Sequence, residues 1–255
     1  MLIHTEKPQG WRLEEDRLIS CTPFEALALP ASGRHVISLV GGGGKTTLLH
    51  YLAGCYAALG MRTAVMTTTR MGCPESPCET MEACRACWAR GEYAAVGQRL
   101  ENGKFRAPAE SVLRALLEEA DIVVIEADGA HRRPLKFPGE NEPVILPETD
   151  IVIAVSGLDA LGKMAGDVCH RMPEAQRLLS CDEQHIITPA DMSAVLLSDC
   201  GGKKGVCGRM YIAALNKCDD ENRLALGEEV LRLLAKDGQA RAAMTYFPIQ
   251  NRTGL

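Results

Sequence analysis

An apolar run, a glycine-rich turn and a helical stretch follow one another directly in residues 35–60. HVISLV (35–40) is unbroken and rich in β-branched residues, which is typical of a strand buried on both faces. The stretch from Thr46 has helical spacing and ends at Gly60. Glycines between a strand and a helix let backbone N–H groups face an anion, and the helix N-terminus adds positive potential. We therefore predict a phosphate-binding loop, or P-loop, whose turn consists of Gly41, Gly42, Gly43 and Gly44.

The loop departs from the usual P-loop spacing. The pattern G-x-x-x-x-G-K-S/T would place its first glycine at position 39, which is Leu39. Shifted by one residue, VGGGGKTT resembles the G-G-x-G-K-T-T loop of nucleotidases grouped with signal-recognition, partitioning and biotin-synthesis proteins. Many of those carry a lysine before the glycines that reaches a partner subunit's nucleotide, and here that position is Val40. The resemblance implies phosphate binding without dimerisation through such a lysine.

The residues after the glycines have expected roles. Lys45 is expected to reach the β- and γ-phosphates and Thr46 to ligate Mg²⁺, with Thr47 completing the nucleotide-binding loop. The alternative is a flexible glycine turn with a solvated lysine. The order of strand, loop and helix favours the P-loop.

Composition narrows the classes of partner. The 255 residues carry a net charge of −5 and only 4% aromatic side chains, so they offer neither a broad positive field nor many stacking surfaces for nucleic acid. The first residues lack the pattern of a signal or transit peptide. No apolar run approaches the roughly 20 residues that span a bilayer. We expect a soluble, cytoplasmic protein that binds neither nucleic acid nor membranes; its oligomeric state stays open.

Strands alternate with helices along the chain, which predicts an α/β fold: a three-layer, mostly parallel sheet of the P-loop NTPase type. We divide the chain into an N-terminal leader with a short helix (1–33) and a P-loop nucleotide-binding domain (34–255). The helix begins at the capping box Thr22–Glu25. Residues 70–107 interrupt the alternation and are interpreted as an insertion with a cysteine cluster and a hairpin that turns at Asn102-Gly103. A short strand is also expected at 185–188.

A second motif, VVIEADGA, follows the glycine loop along the chain. Its apolar strand ends in Glu126, with Asp128 and Gly129 behind it, which is the layout of a segment that senses the γ-phosphate and Mg²⁺. Carboxylate oxygens suit Mg²⁺. We predict Thr46 and Glu126 as the Mg²⁺ site, and the predicted catalytic residues are Lys45, Glu126 and Asp128. A solvated acidic turn is the alternative.

A third motif, NKCD, follows a predicted strand and comprises Asn216, Lys217 and Asp219. N-K-x-D is the guanine-reading motif of GTP-binding proteins: the carboxylate accepts hydrogen bonds from guanine N1–H and the 2-amino group. We therefore predict GTP as the bound nucleotide, with ATP as the less favoured alternative. The alternative is a polar turn.

Eleven cysteines are many for a chain without a secretory signal, so reduced thiols or metal ligands are favoured over disulfides. Four thiolates suit Zn²⁺ or an iron–sulfur cluster, but the spacing matches no standard pattern. A free, redox-active cluster is an equal alternative. The four candidates are Cys73, Cys78, Cys84 and Cys87.

Two further segments are weaker candidates. Thr67, Thr68 and Thr69 could bring hydroxyls near Mg²⁺, although threonine is common in strands. The loop HRRPLK (131–136) carries Arg132, Arg133 and Lys136, which could meet phosphate or a substrate anion, or could be solvated.

Together these motifs resemble a known family. GGGGKTT, TTT, EADGAHRRPLKFPGENEPVIL, SGLDALGK, HR at 170–171, ITPAD and LNKCD follow in the order seen in the selenium-dependent hydroxylase accessory proteins, the YqeC family. The resemblance covers nearly the whole chain from about residue 20. It implies a P-loop protein linked with selenium-dependent molybdenum hydroxylases, acting in maturation of the enzyme or its cofactor. The cysteine cluster is not part of the resemblance.

Three functions remain open. The first is a GTP-hydrolysing maturation factor with a molybdenum hydroxylase as client. The second is a small-molecule kinase or an ATP-dependent ligase related to biotin-pathway synthetases, because the E-x-x-G form of the second motif is similar to theirs. The third is a nucleotide-binding scaffold without hydrolysis.

Overall fold

The protein is described by a computed structural model that covers residues 6–72, 76–101, 103–238 and 241–248. The helices are α1 (Pro23–Ala26), α2 (Lys45–Ala58), α3 (Met81–Ala89), α4 (Glu110–Glu119), α5 (Ala165–Val168), α6 (Met172–Leu179), α7 (Pro189–Leu197) and α8 (Glu221–Lys236), with a short 3₁₀ helix at Leu158–Ala160. The strands are β1 (Gln9–Glu14), β2 (Arg17–Cys21), β3 (His35–Gly41), β4 (Thr63–Thr67), β5 (Arg70–Gly72), β6 (Ala94–Ala95), β7 (Gln98–Arg99), β8 (Lys104–Arg106), β9 (Ile122–Glu126), β10 (Leu135–Lys136), β11 (Ile151–Gly157), β12 (Cys169–His170), β13 (Met210–Asn216) and β14 (Arg241–Tyr246).

One large sheet organises the chain, in the strand order β2-β1-β14-β13-β11-β3-β9-β4-β6. The strands from β14 to β6 run parallel, and β1 and β2 are antiparallel additions at one edge. The prediction of an α/β fold with a mostly parallel sheet is confirmed.

Both faces of the sheet are covered, because alternate residues of its strands enter two separate apolar clusters. Ile37 and Leu39 of β3 pack with α1 and α2, whereas Val40 belongs to the cluster that contains residues of α3, α4, α7 and α8. Burial on both faces explains why these strands are continuous apolar runs. Helices on two sides of one sheet agree with the predicted three layers.

The parallel strands bring the predicted motifs to one edge of the sheet. Leu39 of β3 is level with Glu126 of β9, Val155 of β11 is level with Gly41, and Gly157 is level with Asn216 of β13. The turns that follow β3, β9, β11 and β13 therefore leave the sheet side by side. Ligands of open α/β sheets bind at this carboxyl edge.

The segment assigned to a leader contains more structure than the sequence predicts. Helix α1 has the predicted capping box, in which Thr22 and Glu25 bond reciprocally. Residues 9–21 form the hairpin β1–β2, and β1 pairs with β14 of the main sheet. The sequence of β1, QGWRLE, mixes polar and apolar residues, so its periodicity gave no strong strand signal.

The segment 70–107 contains the predicted hairpin, formed by β7 and β8 and joined by β5 into a small antiparallel sheet. Gly103 adopts φ +70° in its turn, and Asn102 lies outside the described residues. The cysteine-rich part of this segment also contains regular elements. Helix α3 forms there, with Thr80 accepting a hydrogen bond from the Ala83 N–H, and β6 pairs with β4 at the sheet edge.

The prediction of a strand at 185–188 is wrong. In the described part of the chain, Ile186 forms an isolated antiparallel β-bridge to Met164 instead of a strand. None of the helices in the described part of the chain is long and apolar enough to cross a lipid bilayer.

Candidate phosphate-binding site

The glycine loop, residues 41–44 between β3 and α2, requires glycine at most of its positions. Gly41, Gly43 and Gly44 have φ values of +94°, +76° and +119°, which side chains rarely tolerate. A Cβ on Gly43 would lie 2.2 Å from the nitrogen of Gly157, and one on Gly44 would lie 2.3 Å from Nδ2 of Asn216. The loop is therefore packed tightly against the ends of β11 and β13.

Three amide groups of the glycine loop donate hydrogen bonds within the protein. The Gly41 N–H donates to Oδ2 of Asp128 (3.0 Å), the Gly42 N–H to the Val155 carbonyl (2.8 Å) and the Gly43 N–H to the Arg133 carbonyl (3.2 Å). One of these acceptors is an anion. The loop thus binds a carboxylate of its own chain through a backbone N–H.

Asp128 is the centre of a buried ion-pair cluster beside the loop. Its Oδ1 lies 3.0 Å from Nζ of Lys45 and its Oδ2 lies 2.9 Å from Nζ of Lys136, and all three side chains are at most 4% exposed. Buried charges are tolerated only when they are paired, so the two ammonium groups and the carboxylate depend on one another. Lys45 and Asp128 are both predicted site residues, but their spacing in the sequence does not indicate that they pair.

Thr46 and Glu126 also lie together. The Thr46 hydroxyl donates to Oε2 of Glu126 at 2.8 Å. Burial raises the pKa of Glu126, and the positive charge of Lys45 and the hydrogen bond from Thr46 oppose that shift. A hydroxyl oxygen next to a desolvated carboxylate is an oxygen-donor set of the kind that Mg²⁺ prefers, so the residues present fit this cation.

Thr67, at the end of β4, and Thr68, which follows it, have backbone partners. Thr67 donates to the Glu126 carbonyl (2.9 Å) and Thr68 to the Val144 carbonyl (2.8 Å). Their hydroxyls bind main-chain oxygens around β9, which supports the strand that carries Glu126.

The NKCD segment contacts the glycine loop through Asn216. The Asn216 amide donates to the Gly43 carbonyl (2.9 Å) and accepts from the Thr245 hydroxyl (3.1 Å), and the side chain is buried. Lys217, in the left-handed region at φ +65°, pairs with Asp159 at 2.7 Å. The segment is therefore fixed to the loop at its first residue.

Asp219 pairs with Arg223 of α8 at 2.6 Å. Burial raises the pKa of Asp219, and the charge of Arg223 opposes the shift. Sequence reasoning missed Arg223 and the Asp159 partner of Lys217. The spacing of Asp219 and Arg223, four residues apart at the start of a helix, was a signal that could have revealed their contact.

The basic segment 131–136 packs on the glycine loop. Lys136 donates to the Gly129 carbonyl (2.6 Å) and pairs with Asp128 and Glu142, and its side chain is fully buried. The alternative of a solvated basic loop is therefore wrong for Lys136, whereas Arg132 is exposed. Arg133 donates to the Cys169 carbonyl (3.1 Å).

The cysteine cluster is described only in part, because Cys73 lies outside the described residues. Sγ of Cys78 lies 3.7 Å from Sγ of Cys87. Burial raises the pKa of Cys78 to about 12 and that of Cys84 to about 11, which favours thiols over thiolates. Within the described ranges, no group of three or more His, Cys, Asp or Glu side chains is arranged to hold a metal ion. The Zn²⁺ or iron–sulfur site stays a prediction.

Comparison with known proteins identifies the family of this chain. The family model described as YqeC protein matches residues 37–173, which span the glycine loop, Glu126, Asp128 and Lys136. A protein of Escherichia coli (strain K12) with the description "Uncharacterized protein YqeC" is 31% identical over 220 residues, which cover 80% of this chain and 85% of that relative. The chain belongs to the YqeC family. The region matched by the YqeC model includes the buried Lys45–Asp128–Lys136 cluster and ends just beyond Arg171.

Proposed function

We propose that this YqeC-family protein binds GTP with Mg²⁺ at the glycine loop and hydrolyses it. The observation that carries the proposal is the hydrogen bond from Asn216 to the Gly43 carbonyl, 2.9 Å long. It joins a base-reading N-K-x-D segment directly to a glycine loop that precedes a helix. Two motifs 173 positions apart in the chain thus adjoin as one nucleotide site requires.

In the proposed complex, the chain's own groups have distinct roles. Lys45 exchanges the Asp128 carboxylate for the β- and γ-phosphates, and Asp128 keeps Lys136 as its partner. Thr46 and Glu126 hold Mg²⁺, which neutralises phosphate charge when bound. Asp219 reads guanine N1–H and the 2-amino group, for which it exchanges its bond with Arg223. Lys45, Glu126 and Asp128 are the proposed catalytic groups.

For the biological role, we propose that the nucleotide cycle serves maturation of a selenium-dependent molybdenum hydroxylase. This rests on the resemblance of EADGAHRRPLKFPGENEPVI to the accessory proteins of the family. Nucleotide turnover that rises on addition of a client hydroxylase supports this role, and unchanged turnover counts against it.

A second candidate is a kinase or ATP-dependent ligase for a small acid. The observation that favours it is the packing of segment 131–136 on the loop, with the Arg133 carbonyl accepting from the Gly43 N–H. An acceptor bound beside this segment would lie next to the transferred phosphate. Turnover that needs a small acceptor, in the absence of a client protein, distinguishes this candidate.

Calorimetry with GTP, ATP and GDP, with and without Mg²⁺, tests the site. The Lys45→Ala variant removes a buried cationic contact and should lose about 1.5–3 kcal/mol of binding free energy. The matched control is Lys236→Ala, which removes an exposed lysine from the last turn of α8. Equal GTP affinity in both variants would exclude Lys45 from the phosphate site, and a preference for ATP would favour the second candidate.

A further inference from the structure

A cavity of about 510 Å³ lies beside the segment that packs on the glycine loop. Its lining includes Arg133, His170 and Arg171, together with Asp167 and Glu183. Pockets of this size hold small metabolites. None of the predicted nucleotide-binding residues lines it, so the cavity is distinct from the phosphate-binding site.

Three non-glycine residues with left-handed backbone lie in the segments that contribute to this cavity, and one of them, Arg171, lines it. Arg171 has φ +71°, and His131 and Arg132 have φ +48° and +63°. The ring of His131 stacks on that of His170, with centroids 4.9 Å apart. Residues held in this unfavourable region cluster at ligand-binding sites, where the surrounding structure fixes them. Here Arg171 lines the cavity directly, and His131 contacts the lining residue His170.

The charges of the lining are separated. Arg171 and Arg133 are half-buried, whereas Asp167 and Glu183 are exposed. The side chain of Arg171 is 35% exposed, so part of it is accessible to a ligand, whereas its Nε is buried. Burial and the nearby charges of Arg171 and Lys136 lower the pKa of His170, so its imidazole is neutral near pH 7 and offers a hydrogen bond. The inner wall therefore suits an oxyanion.

A chain of ion pairs links this wall to the glycine loop. Lys45 lies 3.0 Å from Asp128, Asp128 lies 2.9 Å from Lys136, Lys136 lies 2.9 Å from Glu142, and Glu142 lies 3.0 Å from Arg171. Cations and anions alternate along it. Its two end members, Lys45 and Arg171, face the two sites.

The charge of this chain makes the sites interdependent. Three cations and two carboxylates give a net charge of +1. If an anion binds one end cation and neutralises it, the other four groups of the chain have a net charge of zero. If anions neutralise both end cations, Lys136 is the one cation left to balance two carboxylates. The chain then has a net charge of −1, and a buried excess of negative charge is costly. Anions at both ends therefore oppose each other.

We propose that this cavity binds a small molecule through its phosphate or carboxylate group, and that its occupancy weakens nucleotide binding at the glycine loop. The antagonism rests on the proposed function, whereas the anion site does not. Arg171 is the residue that contacts the oxyanion, and Glu142 is the positioning residue that transmits the effect.

The anion site is tested in the wild-type chain without nucleotide, because Lys45 must keep its charge for the chain of ion pairs to carry a net charge of +1. Inorganic phosphate and succinate are titrated while NMR follows the ring signals of His131 and His170, assigned by single substitutions. One of the two probes should shift these signals saturably, which identifies the oxyanion class. Arg171→Gln should weaken that binding by about 10-fold or more, since a charge-assisted hydrogen bond is lost.

Two further variants complete this test. Arg177→Gln makes the same change on the exposed side of α6 and should bind like the parent. Arg171→Lys keeps the cation and should bind with intermediate affinity, which separates loss of charge from loss of folding. Absence of saturable shifts with both probes, or equal affinity in Arg171→Gln and Arg177→Gln, would overturn the site.

The antagonism is tested by titrating GTP into the wild-type chain at rising concentrations of the probe that binds. The GTP affinity should fall by about 5-fold or more and then level off. A fall that continues without limit indicates direct competition at the loop and contradicts the proposal, as does no fall at saturation. In Glu142→Gln both end cations can be taken without excess negative charge, so the effect should disappear. If the wild type binds no GTP, the proposed function fails while the NMR test of the cavity still stands.

Discussion

The carboxylate of Asp128 lies 3.0 Å from the ammonium group of Lys45, and both side chains are almost completely buried. The same carboxylate contacts the Gly41 N–H and Lys136. Asp128 thereby satisfies a backbone donor and two cations at the point where the proposed function places phosphate. Under the proposed function, the phosphate groups of the nucleotide must compete with this carboxylate for Lys45 and the Gly41 N–H.

Asp128→Asn should destabilise the fold strongly, because it leaves two buried lysines without a full negative charge. Removal of one partner of a buried ion pair costs about 3–5 kcal/mol. The free energy of unfolding is measured by urea titration. The control is Asp237→Asn, which removes the carboxylate from the ion pair between Asp237 and Lys203. This pair is more exposed than the Asp128 cluster, so its loss should cost less than about 1 kcal/mol. Equal losses in the two variants would show that the buried cluster does not contribute as inferred.

Glu142 should make stability depend on pH in acid. Burial alone would raise its pKa, but the hydrogen bond and charge of Lys136, with those of Arg171, lower it from 4.5 to about 2. Because the folded pKa is depressed, the contribution is complete above about pH 4.5 and is lost as the pH falls toward 2. Glu142→Gln should flatten the stability profile in this window, and Glu140→Gln, at an exposed neighbour, should not. Identical profiles for both variants would contradict the assignment.

Asp219→Asn should change base selection. Adenine offers no donor to the carboxylate, so the native site should reject ATP by roughly 10⁴-fold. The variant presents an amide donor that suits the C2 carbonyl of xanthine, so it should lose GTP and gain xanthosine triphosphate. Competition binding measures both. Asp220→Asn is the matched control, because asparagine also caps a helix well. A variant at Asp219 that keeps its GTP affinity would refute the guanine assignment.

The predicted metal at the cysteine cluster is tested by elemental analysis of protein purified without chelator. About one Zn or iron per four thiolates is expected. Cys84→Ser/Cys87→Ser should abolish it, whereas Cys200→Ser/Cys207→Ser, at two exposed cysteines, should not. Unchanged metal content in the first double variant would place the metal elsewhere.

Local patterns predicted much of the fold. The run before Gly41, the helix after it and the strand ending at Glu126 all follow from apolar periodicity, because both faces of the parallel sheet are buried. The capping box at Thr22 likewise depends on four adjacent residues. Such features need no knowledge of distant neighbours.

The contacts that connect the motifs needed the strand order. Asp128 reaches Lys45 because β9 lies next to β3 in the sheet, and Lys136 joins them through the following turn. Glu142 and Arg171 were not selected, since each is an ordinary charged residue in its local sequence. The hairpin β1–β2 was missed for a similar reason: its partner, β14, lies at the other end of the described chain.

That hairpin has a consequence for the order of biosynthesis. Gln9 is paired with Tyr246, so the strand that leaves the ribosome first among those of the sheet pairs with the strand that leaves last. At about 5–20 residues per second, β1 waits roughly 10–50 s for its neighbour. β1 can therefore pair with the main sheet only after β14 has been translated. Until then, the edge of β1 that faces β14 has no partner strand in the nascent chain, and chaperones can act on it.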